Sequence, residues 1–508
     1  LQEASQGYEA NGRLAGAGIV HGGEEQTFAY GYLAGSSLPS SLAMPNGIVR
    51  ELAYEEHRDL AVAISCRLGG TALVSRSQSY DALGRPVTRT QQRGTEATRT
   101  DSFSYNGRNE LTGATLGTAP YGYSYDNIGN RKTARELAEE LSYAANNLNQ
   151  YTSIEEKAEA PFVPTYDASG NQTLIKTSTG IWTVVYNAAN RAVSFTSQGG
   201  STVVECGYDY QGRRYMKKVT VNGTVVSHER YLYRGYLQLA ALDMLDNRNV
   251  LRTLLWDPLE PVATRPLALV QENALYCYGV DFNKNVTEVF AGEGAIAATY
   301  DYSPYGQVVS TGDLVQPVQW SSEMNDVELA LVYYNYRYYN PADGRWINRD
   351  PIAEEGGWNL YGFIENVVIN KYDGLGLKKG FTKTGDPCPK CCKGCERSQE
   401  RPVIKDAGTK GIDVKASVES PMFTSKCEHN GTCNENCCYV VYTWFDCYNK
   451  TCYSQTGDTF NRKVQPLRGV GRARSALGVS VQAYKWCSCN KGKWECHNVL
   501  LLSNTLLY

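Results

Sequence analysis

The sequence contains no long apolar segment and little histidine, and its first 377 residues contain almost no cysteine. The longest apolar stretches, Val499 to Leu502 and Leu237 to Leu245, fall well short of the ~18 to 20 residues that a membrane-spanning helix needs, so we expect no transmembrane segment. The chain starts at Leu1, without the basic segment and apolar core of a signal peptide. We interpret this start as the result of processing or truncation.

Cysteine and charge are distributed unevenly along the 508 residues. Only Cys66, Cys206 and Cys277 precede residue 378, whereas the other 13 of the 16 cysteines lie between Cys388 and Cys496. Residues 378–508 contain 20 Lys and Arg against 11 Asp and Glu, a net charge of +9. Because the whole chain has a net charge of −3, residues 1–377 carry −12. Such a change in composition indicates two different domains joined near residue 377.

Tyrosine is the most over-represented residue type. The chain has 37 Tyr against 11 Phe, and 31 of the Tyr precede residue 378. Tyrosine suits strands whose rings are half buried and whose hydroxyl groups find a partner, and the 48 Gly can supply the turns between short strands. The first 377 residues are therefore predicted to be mainly β.

A short motif, Tyr-Asp-x-x-Gly-Arg with degenerate copies, recurs through this part of the chain. Successive copies are separated by 25, 20, 18, 23, 20 and 22 residues, which fits one β-hairpin per unit. In each copy the Asp or Asn can bond the backbone two residues on and start a turn, and Gly accepts the positive φ that closes it. The copies start at Tyr80, Tyr105, Tyr125, Tyr143, Tyr166, Tyr186 and Tyr208.

These units resemble the YD repeats of bacterial Rhs proteins, of Tc-toxin C components and of the teneurin shell. A later block, with YDYSPYG at Tyr300–Gly306, YYNPADGRWINRDP at Tyr338–Pro351 and GGWNLY at Gly356–Tyr361, resembles the Rhs repeat-associated core domain. The resemblance implies a mainly β fold in which YD-repeat hairpins wind as a spiral into a hollow shell. The shell would be partial, because the visible units are too few to close it and a missing N-terminal portion would complete it.

The resemblance also implies a domain order. Residues 1–290 would form the YD-repeat shell and residues 291–377 the core domain that ends in a cleavage motif. Residues 378–508 lie where the family places a variable domain, commonly a toxin, and here they would form a small cysteine-rich C-terminal domain.

Two carboxylates in the core block, Asp350 and Asp373, suggest proton-transfer chemistry. Two neighbouring carboxylates cannot both ionise easily, so one keeps its proton and acts as an acid while the other accepts a proton from water. Arg349 would hold one of them ionised. Residue types alone favour a structural Arg349–Asp350 salt bridge, and it is the family resemblance that favours proton transfer. Asp343 is a weaker candidate, because it belongs to a tight turn that starts at Asn340.

In the resembled family the core domain is an aspartyl autoprotease that cuts its own chain just after an Asp-Pro-x-Gly-Leu motif. The matching segment here is DGLGL, Asp373–Leu377, so the implied scissile bond joins Leu377 to Lys378. Gly374 stands where the family has Pro. Because proline would stiffen the approach of the scissile strand to the carboxylates, we expect the Gly to slow or alter the cut.

The cysteines of residues 378–508 allow three interpretations. They make up about 10% of this segment, a density typical of small disulfide scaffolds. The pairs Cys388/Cys391 and Cys392/Cys395 also have the two-residue gap of zinc knuckles, and reduced thiols are the third interpretation. No other cofactor is expected. Further zinc ligands could come from Cys487, Cys489, Cys496 or His497.

No enzyme motif stands out in the tail. A Cys-His hydrolase pair, such as Cys437 with His497, can be drawn, but so many cysteines make any pairing easy to propose, and His429 and His497 are the only histidines there. The net charge of +9 would suit nucleic acid or an anionic membrane surface. An electrostatic fit to the acidic shell, or an ordinary solvated face, explains the charge equally well.

Two functions remain open at this point. The first is a fragment of a bacterial Rhs-type polymorphic toxin, secreted or on the cell surface, whose autoproteolysis frees the C-terminal domain as cargo for delivery into a target cell. Its partners would be that cargo, a cognate immunity protein and a secretion-system component. The alternative is a secreted or cell-surface YD-repeat protein that binds partners or carbohydrate and has a disulfide-rich tail without toxic activity.

Overall fold

A computed structural model describes residues 4–157, 159–259 and 265–377, and beyond them the strand backbones of residues 381–382, 403–410, 413–419, 437–448, 451–454, 477–490 and 493–505. The chain divides into two compact units, Leu1–Thr384 and Gly385–Tyr508. Within the described residues the first unit contains β-strands and short 3-10 turns but no α-helix. The prediction of a mainly β fold is confirmed. Among the described residues, no helix is long and apolar enough to cross a membrane.

Two antiparallel sheets of 14 strands each make up most of the first unit, and in both sheets every strand pairs with its neighbours in the chain. This order needs only short hairpin connections, as the repeats predict. The first sheet comprises β1–β14: Ala4–Tyr8, Leu14–His21, Glu24–Tyr32, Pro39–Ala43, Ile48–Tyr54, Ala61–Leu68, Thr71–Tyr80, Pro86–Arg93, Arg99–Tyr105, Leu111–Leu116, Ala119–Tyr125, Arg131–Glu136, Glu139–Ala145 and Tyr151–Glu156. The second comprises β15–β28: Thr165–Tyr166, Gln172–Thr177, Gly180–Tyr186, Ala192–Ser197, Thr202–Tyr208, Arg214–Val221, Thr224–Arg234, Leu237–Asp243, Val250–Trp256, Pro266–Gln271, Ala274–Val280, Val286–Phe290, Ile296–Tyr302 and Val308–Thr311.

Smaller elements follow the two sheets. Strands β29–β32, Met324–Asp326, Leu331–Tyr334, Arg337–Asn340 and Arg345–Trp346, form a four-stranded sheet, and β33 (Lys371–Tyr372) pairs with β34 (Phe381–Thr382). Four 3-10 turns lie at Gly292–Gly294, Trp320–Ser322, Ala353–Gly356 and Ile364–Asn366. In the second unit, β35 (Val403–Lys410) pairs with β36 (Asp413–Glu419), and β37–β40 (Cys437–Tyr448, Thr451–Ser454, Leu477–Asn490, Lys493–Thr505) form a sheet. The boundaries predicted at residues 290 and 377 stay predictions.

Each repeat turn is closed by its Asp or Asn side chain. The Oδ1 atom of Asp81 accepts hydrogen bonds from the amides of Leu83 and Arg85, both at 2.9 Å. The fourth turn residue, Gly84, has a φ of 76°, which glycine adopts without steric cost. The same two bonds recur at Asp126, Asp167 and Asp209, and Gly129, Gly170 and Gly212 take the left-handed position.

In most repeats the tyrosine near the end of the strand is bonded to the preceding hairpin, although Tyr143 and Tyr166 lack this bond. The hydroxyl of Tyr105 donates to the carbonyl of Pro86, and that of Tyr208 to the carbonyl of Ala192, both at 2.8 Å. Phenylalanine would leave these carbonyls without this donor, which explains the excess of Tyr over Phe. The same bond joins Tyr32 to Leu14, Tyr54 to Pro39, Tyr80 to Ala61, Tyr125 to Leu111, Tyr186 to Gln172, Tyr233 to Arg214 and Tyr302 to Val286.

A buried ionic cluster joins the two large sheets. Glu288 on β26 accepts hydrogen bonds from Arg76 on β7 and from Arg93 on β8, the latter at 2.8 Å. Arg93 also binds Asp301 on β27 at 2.7 Å. Burial alone would raise the pKa of Glu288, but Arg76 and Arg93 hold it below its ordinary value. The carboxylate therefore stays ionised between the sheets.

Replacing Glu288 by Gln should lower the free energy of unfolding by about 3 to 5 kcal/mol, because Arg76 would remain buried without its carboxylate and Arg93 would keep only the Asp301 carboxylate. Urea unfolding monitored by circular dichroism measures this loss. Glu205→Gln is the matched control, because Glu205 pairs with Lys218 while 41% of its side chain is exposed, and it should cost less than about 1 kcal/mol. Equal losses in both variants would contradict a special role for Glu288.

Candidate active site

Aromatic rings surround the segment that carries the predicted motif. Tyr334, Tyr339, Trp346 and Phe363 are fully buried, and their ring centroids lie 4.0 to 6.2 Å apart, in mostly edge-to-face pairs. Such pairs prefer specific geometries as well as burying area. The cluster therefore sets the positions of β30–β32, and Arg337 begins the middle one of these strands.

Asp350 and Asp373 meet at the guanidinium of Arg337. The Nη2 atom of Arg337 lies 2.9 Å from Oδ2 of Asp350 and 3.8 Å from Oδ2 of Asp373. All three side chains are at most 2% exposed. The structure thus brings together the two carboxylates that were predicted to act as a pair, around a cation that was not predicted.

Arg349, the cation expected beside Asp350, lies elsewhere. Its side chain is exposed, and its Cδ lies so close to Gly170 that a Cβ at that residue would be 2.6 Å away. Asp350 faces the interior, and its immediate neighbour in the chain faces solvent. Arg337 takes the place that was assigned to Arg349. The sequence signal for Arg337 was that it is the single charged residue in the aromatic run LVYYNYRYYN. An arginine buried in such a run needs a carboxylate partner.

Asp373 organises the segment that ends at Leu377. Its Oδ1 atom accepts hydrogen bonds from the amides of Leu375, Gly376 and Leu377 at 3.0, 2.8 and 3.2 Å. The carbonyl of Gly376 accepts a hydrogen bond of 2.5 Å from Nε of Arg337. One carboxylate and the shared cation therefore both hold the backbone that leads to the predicted scissile bond.

The environment of Asp373 favours its protonated form. Burial raises the pKa of this carboxyl group, Arg337 and three backbone amides lower it, and the balance leaves the pKa above its ordinary value. Its Oδ2 atom is buried without a hydrogen-bond partner among the described residues. Asp350 lies closer to Arg337, with its Oδ2 atom 2.9 Å from Nη2.

Asp343, the competing carboxylate, has a different set of neighbours. It lies in the turn between β31 and β32 and accepts a hydrogen bond of 2.9 Å from Nδ2 of Asn340. Gly344, with a φ of 64°, allows this turn. Burial raises the pKa of Asp343 to about 6, against the opposing effect of Arg345 and Arg131. These contacts fit the turn role that the sequence indicated.

The parent protein should lose stability as the pH rises through the pKa of Asp343, and the Asp343→Asn variant should not. The pKa of about 6 in the folded state exceeds the ordinary 3.8, so the folded state holds the proton more tightly. The parent should therefore lose up to ~3 kcal/mol between about pH 4 and pH 6. Urea unfolding across this range measures the effect, and equal pH slopes in parent and variant would contradict it.

The other predicted site residues cannot be placed in this way. Lys378 and the four zinc-knuckle cysteines Cys388, Cys391, Cys392 and Cys395 lie outside the described residues, as does His429. Only the backbone is described for Cys437, Cys487, Cys489, Cys496 and His497. Within the described part of the chain, no group of three or more Cys, His, Asp or Glu could hold a metal ion, and Cys66, Cys206 and Cys277 are free and buried. The zinc site stays a prediction.

Comparisons with known proteins identify relatives of the repeat region. A family model described as the teneurin YD-shell matches residues 56–367. The chain is 25% identical over 264 residues to the tRNA3(Ser)-specific nuclease WapA of Bacillus spizizenii, a match that covers 49% of this chain and 10% of that protein. It is 29% identical over 127 residues to toxin subunit YenC1 of Yersinia entomophaga, covering 23% of this chain and 12% of that protein. The chain thus spans about a tenth of the length of these two relatives.

A solved structure has a similar fold. The crystal structure of TcdB2-TccC3 without its hypervariable C-terminal region matches with a TM-score of 0.60 and 19% identity, covering 74% of this chain and 20% of that one. At this level of identity the likeness concerns the fold alone. The large antiparallel sheets described above resemble those of the Tc-toxin shell.

Proposed function

This protein belongs to the teneurin YD-shell family, and we propose that it is part of an Rhs-type polymorphic toxin whose core domain cuts its own chain after Leu377. The cut would free residues 378–508 as cargo. The observation that carries this proposal is the meeting of Asp350 and Asp373 at Arg337, with Asp373 bonded to the backbone up to Leu377. Two relatives, a toxin subunit and a nuclease, also support it.

The proposed reaction divides acid and base work between the two carboxylates. Ionised Asp350 accepts a proton from a water molecule, whose oxygen attacks the carbonyl carbon of Leu377, while protonated Asp373 donates its proton to the carbonyl oxygen. The C–N bond then breaks as Asp350 passes its proton to the leaving nitrogen of Lys378. Asp373 recovers its proton from the hydroxyl group. The products are a carboxyl group at Leu377 and an amine at Lys378.

Arg337 supports this reaction in two ways. Its Nη2 atom pairs with Asp350, and its Nε atom binds the carbonyl of Gly376 next to the scissile residue. The guanidinium carbon lies 4.0 Å from the centroid of the Trp346 ring, a cation–π contact that holds the group in place. One buried arginine thus positions both the base and the bond to be cut.

The remaining parts of the proposal concern the whole protein. A toxin of this kind would be secreted or displayed by a bacterium, and its partners would be the C-terminal cargo, a cognate immunity protein and a secretion-system component. The basic charge of residues 378–508 suits a nucleic-acid target. Their cysteines would form disulfides after secretion, with zinc as the alternative.

Asp350→Asn and Asp373→Asn should each slow self-cleavage by at least about 100-fold, because each removes one of the two proton-transfer groups. Denaturing gels and mass spectrometry of the purified full chain measure the cut, and the parent should yield fragments that end at Leu377 and begin at Lys378. Asp343→Asn and Arg349→Gln are the matched controls and should cut like the parent. An uncut parent, or a cut Asp373→Asn variant, would refute the protease.

Gly374→Pro should speed the cut by about 2- to 5-fold, because proline restricts the backbone just after Asp373 and reduces the conformations that the segment must give up. The rate of appearance of the new amine terminus, followed by mass spectrometry after refolding, measures the change. Gly374→Ala is the control with a smaller restriction. A slower cut in the Pro variant would show that this position needs the freedom of glycine.

A further inference from the structure

The turn Asp281–Asn285 has the bonding of a repeat turn but an unusual residue at its fourth position. The Oδ1 atom of Asp281 accepts hydrogen bonds from the amides of Asn283 and Asn285 at 2.7 and 2.9 Å. The fourth residue is Lys284, with a φ of 65°, and the Cβ atom of a residue other than glycine makes this conformation unfavourable. The seven repeat turns found from the sequence have Gly or Asn there: Gly84, Asn109, Gly129, Asn149, Gly170, Asn190 and Gly212.

Lys284 reaches the segment that carries Asp373. It is only 2% exposed, and its Nζ atom lies 3.8 Å from the centroid of the Tyr372 ring. Tyr372 directly precedes Asp373 in the chain. The attraction between an ammonium group and an aromatic ring is strongest where water is excluded, so this contact restrains Tyr372 and the peptide unit that follows it.

Asn283, the neighbouring residue in this turn, binds backbone carbonyls of the same segment. The Nδ2 atom of Asn283 donates hydrogen bonds to the carbonyls of Val368 and Lys371 at 3.0 and 3.2 Å. The turn therefore contacts three residues on the approach to Asp373: two through Asn283 and one through Lys284. Strained residues persist where the surrounding structure holds them in place, and the contact with Tyr372 is one interaction that holds Lys284.

We propose that Lys284 is a positioning residue for the self-cleavage. It holds Tyr372, and through the adjoining peptide bond it holds Asp373 against Arg337 and the scissile segment. This inference rests on the proposed function and assigns no proton transfer to the lysine.

The substitution Lys284→Gly removes the contact with Tyr372. Self-cleavage of the full chain should become about 5- to 30-fold slower with the loss of the cation–π contact, and urea unfolding of the same variant separates this effect from a loss of stability. Lys284→Arg keeps a cation and should restore most of the rate. Asn109→Gly, at the same position of an exposed repeat turn, is the control and should cut like the parent.

Substitutions of Tyr372 test the same contact through its aromatic ring. Tyr372→Phe keeps the aromatic face and should cut at nearly the parent rate, whereas Tyr372→Leu should be slowed as much as Lys284→Gly. The double variant Lys284→Gly/Tyr372→Leu should be slowed by less than the product of the two single effects, because both single variants lose the same contact. Parent-like cleavage by Lys284→Gly, or additive effects in the double variant, would overturn the proposal.

Hydrogen exchange tests the positioning independently of cleavage. In the Asp350→Asn background, Lys284→Gly should speed exchange of the amides that bond to Asp373, those of Leu375, Gly376 and Leu377, by about 5- to 30-fold. Unchanged exchange would overturn the positioning role. A parent that is never cut would instead refute the proposed protease, so the two failures can be told apart.

Discussion

One interaction recurs through this structure: the side-chain oxygen of an Asp or Asn accepts hydrogen bonds from backbone amides that a tight turn would otherwise leave without partners. Asp126 shows it with the amides of Ile128 and Asn130, at 3.0 and 2.9 Å. Because each hairpin starts where the previous turn ends, these bonds set the register of the two long sheets. They also place the tyrosine hydroxyl of most repeats against the hairpin before it, as Tyr125 is placed against Leu111.

The candidate site uses the same interaction for a different purpose. The Oδ1 atom of Asp373 accepts hydrogen bonds from three backbone amides, and its Oδ2 atom is buried beside Arg337. In the exposed repeat turns the second carboxylate oxygen binds the side chain of the fifth turn residue, as Asp81 binds Arg85. At Asp373 the corresponding oxygen, Oδ2, instead lies near Arg337, the cation that pairs with Asp350. An Asp that closes a turn becomes a candidate general acid when the turn is buried next to an ion pair, here that of Arg337 with Asp350.

Local contacts were predictable and distant ones were not. The closure of the turn at Asp81 depends on residues within five positions of each other, so the repeat motif was enough to predict it. The pairing of Asp350 with Asp373 came from family resemblance, because their spacing does not imply contact. Arg349 was expected to be their cation because it adjoins Asp350 in the chain, yet the structure exposes it and places Arg337 there. Lys284 offered a signal, a lysine where the repeat has Gly or Asn, but nothing in the sequence indicated which segment it would contact.

The mainly β fold, the order of the hairpins and the chemistry of their turns follow from the local sequence, because they depend on side chains and amides that are close along the chain. Three features depend instead on long-range packing: Arg337 faces both carboxylates, Asp343 remains a turn residue, and Lys284 lies on Tyr372. These contacts follow from burial, because the aromatic cluster and the sheets exclude water from certain charged side chains. A buried charge without a partner is costly, so each one pairs with the group that the fold places next to it.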